Sequence, residues 1–85
     1  MTMRMEWLRG DDDAPACWAC FLVYPEKVNV LAILTNGLVD RKMSVDGARR
    51  LWADLCAQGW RRVGEQELSA SRMSHRRLRE MAYSR

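Results

Sequence analysis

A chain of 85 residues that is 48% hydrophobic and 29% charged, with a net charge of +3, reads as one small folded domain and excludes a disordered tail or fibre. Folding at this length removes only about 60–65% of the exposable surface, so the core is small. The longest uncharged apolar stretch, residues 14–25, ends at Pro25 and is too short to cross a bilayer.

In chain order, EWLRG (6–10) predicts a short first strand, stopped by Gly10 and an acidic turn at Asp11–Asp13. ACWACFLVY (16–24) is rich in aromatic and β-branched types and predicts a second strand; PEK (25–27) turns the chain, and VNVLAIL (28–34) returns it. Asn36-Gly37 predicts a type I′ hairpin turn, which wants positive φ at both central positions. LVDRKM (38–43) follows as an edge strand whose charges discourage pairing with another sheet.

Ser44 predicts a helix start, and Asp46 suits the positive end of the helix dipole. Ala48, Leu51, Trp52 and Leu55 recur at helical spacing, with Arg49, Arg50, Asp54 and Gln58 on the other side. Gly59 predicts a left-handed stop, with Trp60 folding back on Leu55 as in a Schellman cap. WRRV (60–63) predicts a short strand or extended return, and Gly64 to Glu67 a loop. Ser69 to Tyr83 predict one polar helix with a thin apolar stripe of Met73, Leu78, Met81 and Ala82. The fold class is therefore α+β: an antiparallel sheet of three to four strands, a helix over 44–58 packed on it, and an accessory C-terminal helix. By this reading residues 1–68 form the core domain and 69–85 a basic helix or tail.

The two central strands are apolar on both faces. Trp18, Cys20 and Leu22 alternate with Cys17, Ala19, Phe21 and Val23; Val28, Val30, Ala32 and Leu34 alternate with Asn29, Leu31 and Ile33. A sheet with one wet face would alternate apolar with polar. The 44–58 helix covers one face, and the thin stripe of the last helix covers the other poorly. This predicts a protein partner or a second copy of the chain on the second face, with Phe21, Leu31 and Ile33 as contact residues.

Charge is uneven along the chain. Arg4 and Arg9 stand against Glu6 and Asp11–Asp13 at the start, while Arg72, Arg76, Arg77, Arg79 and Arg85 stand against Glu80 at the end. On one helix Arg72, Arg76 and Arg79 fall at i, i+4 and i+7, with Arg77 at the margin, a stripe that can follow phosphates. Arg41, Lys42, Arg61 and Arg62 extend it. No sequence signature of a helix-turn-helix, RNA-recognition domain or zinc finger accompanies it.

Cys17, Cys20, Cys56 and His75 are the residue types of a tetrahedral zinc site. In an extended strand, however, Cys17 and Cys20 point to opposite faces and lie about 10 Å apart, too far for a shared metal or for a disulfide. An odd number of cysteines and an opening MTMRMEWLRGDDDAP without an apolar core predict a reducing, cytoplasmic setting. Catalysis has little foothold, because no Ser-His-Asp order, phosphate-cradling glycine loop or paired apolar carboxylates occur. No catalytic residue, metal or cofactor is expected.

The run MSVDGARRLWADLCAQGWRRV (43–63), preceded by a tryptophan strand, a hairpin and a basic edge, resembles a family of small cyanobacterial proteins defined only as a domain of unknown function. Trp7, Arg41, Lys42, Ala48, Leu51, Trp52, Leu55, Gly59 and Trp60 carry the resemblance, and residues 5–63 bound it. It implies a cyanobacterial or cyanophage source and a cytoplasmic location, and no activity. The leading functional expectation is a non-enzymatic interaction module. A nucleic-acid-binding accessory protein is the alternative, and a small zinc protein the third.

Overall fold

The α+β class holds, with five strands in place of three to four. The computed structural model describes residues 3–10 and 17–84; the Asp11–Asp13 turn, Ala16 and Arg85 lie outside these. The elements are β1 (Arg4–Arg9), β2 (Trp18–Val23), β3 (Val28–Leu34), β4 (Gly37–Met43), α1 (Val45–Ala57), β5 (Arg61–Arg62), α2 (Glu65–Ser71) and α3 (His75–Tyr83). The strands form one antiparallel sheet in the order β4-β3-β2-β1-β5. The short β5 closes the free edge of β1, pairing Arg62 with Leu8, and the Val63 N–H donates to the Trp7 carbonyl at 3.0 Å.

The double-sided apolarity of β2 and β3 follows from their central position. Leu8, Ala19, Phe21, Val30 and Ala32 pack on one face against Ala48 and Leu55 of α1. Trp7, Trp18, Cys20 and Leu31 pack on the other against Val63 and Leu78. Trp7 and Trp18 meet edge to face there, centroids 6.2 Å apart at 86°. At the far end of β1, Gly10 lets the chain pass close, since a Cβ there would stand 2.7 Å from that of Cys17.

The helix ends obey local rules. Ser44 caps α1, its hydroxyl accepting from the Gly47 N–H. Gly59 turns left-handed at φ 100°, and the Trp60 N–H donates to the Leu55 carbonyl at 3.0 Å, the long bond of a Schellman cap.

Three expectations are corrected. The hairpin between β3 and β4 pairs Leu34 with Gly37, so Thr35 and Asn36 form its loop; Asn36 does not take positive φ, and the turn is not type I′. The register slips because Gly37 joins the strand as its first paired residue.

The single C-terminal helix is two helices. Arg72 takes the left-handed conformation at φ 55°, ψ 32° and ends α2, and Ser74 opens α3 by accepting from the Arg77 N–H. The Met73 N–H donates to the Leu68 carbonyl at 2.9 Å and the Arg72 N–H to the Ser69 carbonyl at 3.1 Å. This is a second Schellman cap, with arginine where glycine is usual.

The third correction concerns the uncovered face. Phe21 lies opposite Val30 and Cys20 opposite Leu31, and opposite residues share a side of the sheet. Phe21 therefore faces α1, while Leu31 and Ile33 face the α2–α3 layer. Grouping Phe21 with Leu31 is one residue out of register. Phe21 and Leu31 are only 2% and 1% exposed. Leu68, Met73, Leu78 and Ala82 cover the second face, and Leu78 is fully buried in it.

Candidate functional site: a basic-rimmed apolar groove

Helix α1 packs over β3 and β4, which leaves the β1–β2 part of the same face less covered. There an open groove of about 620 Å³ runs between α1, the β2–β3 turn and β1. Phe21, Val23 and Val28 form its floor beside Trp52, which stands edge-on to Phe21 with centroids 5.1 Å apart. Phe21 and Val28 are buried, whereas Val23 and Trp52 are half-buried and available to a ligand.

The rim is charged because of strand alternation. Arg4 and Glu6 occupy the same face of β1 as Leu8 but lie beyond the reach of α1. Glu6 receives Arg4 at 3.0 Å and Arg62 at 2.9 Å, so one carboxylate holds two guanidinium groups over the groove. Arg49, from the exposed side of α1, adds a third cation to the lining and makes no ion pair among the described residues. The rim thus carries three arginines against one glutamate. An aromatic and aliphatic floor under such a rim accepts an apolar side chain flanked by carboxylates.

The arginine stripe is not assembled as one surface. Arg72 terminates α2 and is not on α3. Arg76 faces Glu80 at 3.9 Å, and Arg79 faces Asp40 at 3.6 Å. Arg77 donates from Nη1 to the carbonyls of Ser71 and Arg72, both at 3.1 Å, fastening α3 to the end of α2. Arg61 grips both oxygens of Glu67 at 2.7 Å, and Arg9 reaches the same carboxylate at 3.2 Å. These bonds, that of Arg61 foremost, hold the Glu67 carboxyl well below its ordinary 4.5, at about 2.

The thiols lie apart. Cys17 touches Thr35 Oγ1 at 3.8 Å, Cys20 is buried in the α2–α3 layer, and Cys56 is exposed on α1. Burial pushes the Cys20 thiol up to about 12. His75 opens α3, and among the described residues no three His, Cys, Asp or Glu side chains converge on a common point. No described helix is long and apolar enough to cross a membrane.

Comparison of the chain with known protein families, curated proteins and solved structures finds no match. The groove must be read from its own chemistry. Helical spacing groups Trp52 with Ala48, Leu51 and Leu55, and nothing in the sequence pattern singles out Arg4, Glu6 or Arg49.

Proposed function

We propose that the protein is a non-enzymatic interaction module that takes an acidic, apolar-centred segment of a protein partner into the groove between α1 and the β1–β2 end of the sheet. The observation that carries this reading is the combination of the Trp52–Phe21–Val23 floor with the Arg4, Arg49 and Arg62 rim. The apolar contact supplies affinity and the arginines select a carboxylate-rich segment and set its direction. The three free thiols support a reducing, cytoplasmic setting for that partner.

An NMR titration of the full chain tests it, using a short synthetic peptide with one leucine or phenylalanine between glutamates. Saturable shifts at Val23, Ala48, Arg49 and Trp52 are expected, and Arg49→Glu weakens binding about tenfold or more. Shifts that avoid α1, or an Arg49→Glu variant that binds unchanged, overturn the reading. A parallel arm with a short RNA distinguishes the nucleic-acid alternative: saturable shifts on Arg72, Arg76, Arg77 and Arg79 that weaken steeply with salt would move the function there. Sedimentation showing a salt-insensitive dimer would instead make a second copy of the chain the partner.

A further inference from the structure

A smaller cavity of about 310 Å³ lies on the opposite face of the sheet, between β2, β3, β4 and the start of α3. Asn29, Asp40, Arg41, Lys42, His75 and Arg79 line it beside Leu22. The register brings Asn29 between Leu22 and Lys42 on adjacent strands, so the amide and the ammonium project to the same side. The buried Oδ1 of Asn29 has no hydrogen-bond partner. Burying an acceptor without a donor is costly and rare, so a donor brought into this cavity would be stabilised beside it.

The charged groups around that amide are not balanced. Asp40 is already engaged, accepting from the Tyr83 hydroxyl and facing Arg79. Lys42 makes no ion pair among the described residues. His75 is held below its ordinary range by burial and by Arg79, against the pull of Asp40, so its imidazole is neutral near pH 7. Lys42 from β4 and Arg79 from α3 therefore leave an excess of positive charge, with a protonatable ring beside them. The site offers donors for an oxyanion and, from Asn29, one acceptor for a hydroxyl hydrogen.

We propose that this cavity binds a small oxyanion bearing an adjacent hydroxyl, with Lys42, His75 and Arg79 on the anionic group and Asn29 Oδ1 accepting from the hydroxyl. It lies across the sheet from the groove and does not depend on the peptide reading. Phosphate monoesters of polyols and hydroxycarboxylates both have this chemistry. Glycerol 3-phosphate and glycerate separate them, with methyl phosphate and acetate as partners lacking the hydroxyl.

The test is an NMR titration of the full chain at constant ionic strength. Either hydroxylated ligand is expected to give saturable shifts at residues 29, 42, 75 and 79, and the tighter of the two identifies the oxyanion. Each hydroxylated ligand should bind about tenfold more tightly than its partner without the hydroxyl, and Asn29→Ala should erase that difference. Lys42→Ala, on an exposed edge strand, should weaken binding about tenfold and keeps the test open if Asn29→Ala fails to fold. Shifts equal to those of sodium chloride, no advantage from the hydroxyl, or full binding by Lys42→Ala would each overturn the proposal. They would leave a water as the partner of Asn29.

Discussion

The two faces of the sheet are closed by different means. One carries a single 13-residue helix, α1, with a side-chain cap at its start and a glycine stop at its end. The other carries two short helices of 7 and 9 residues joined through a left-handed arginine. Each layer nevertheless buries a set of large apolar residues from the same two central strands. The long helix leaves an apolar groove at one end of its face, because a straight rod cannot cover five strands. The broken pair bends to follow the sheet and leaves a polar cavity where α3 begins. Coverage by one rod or by two half-rods thus determines what kind of opening remains.

The comparison is broken most directly by truncating one anchor on each side. Leu55→Ala under α1 and Leu78→Ala under α3 should each cost about 2–5 kcal/mol in chemical denaturation, since both are essentially buried. A loss below about 1 kcal/mol for Leu78→Ala alone would show that the second layer is an accessory and that the sheet face beneath it stands on its own.

Removing the side-chain caps asks whether the two layers begin by the same device. Ser44→Ala and Ser74→Ala each lose one hydroxyl acceptor and should each cost about 1 kcal/mol. A silent Ser74→Ala would mean that the Arg77 bonds to the end of α2, and not the cap, fix the start of α3.

Arg72→Gly sharpens the contrast between the two helix ends. Left-handed backbone is unfavourable by roughly 1 kcal/mol for a residue with a Cβ, so the variant should raise the thermal midpoint modestly. A drop would show that the Arg72 side chain contributes more than its backbone geometry costs.

The smallest effect belongs to the exposed pairing of Glu67. Its folded value is depressed, so its contribution is complete above the ordinary 4.5 of an unfolded carboxyl. It is lost as pH falls toward about 2. Glu67→Gln should therefore flatten the acid limb of the stability–pH curve between those limits and leave neutral pH little changed. An unaltered acid limb would assign it to other carboxylates.

Most elements were legible because their signals are local. The Ser44 hydroxyl, the 48/51/52/55 spacing and the Gly59-Trp60 stop specify α1 without reference to the rest of the chain. The strands at 18–23 and 28–34 announce themselves by composition. The break at Arg72 was not legible, because arginine is a good helix former and only the Leu68–Met73 contact and the Ser74 cap favour the turn. The register between β2 and β3 was missed for a related reason. Two strands apolar on both faces carry a single polar residue, Asn29, and one amide does not report which side is which. The groove was not legible: the first strand read from Glu6 leaves out Arg4, which the structure brings into β1, and the distance of both from α1 is set by where the helix lands.

The sequence by itself determined an α+β domain with a doubly apolar sheet centre and one well-capped helix, since periodicity, caps and strand composition act over a few residues. Only the tertiary structure decided that Arg72, Arg76, Arg77 and Arg79 serve helix ends and ion pairs, that α2 and α3 cover the second face, and that Asn29, Lys42 and His75 line one cavity. Those outcomes depend on contacts between residues tens of positions apart, where burial of a few large side chains outweighs the local preferences of the segments that carry them.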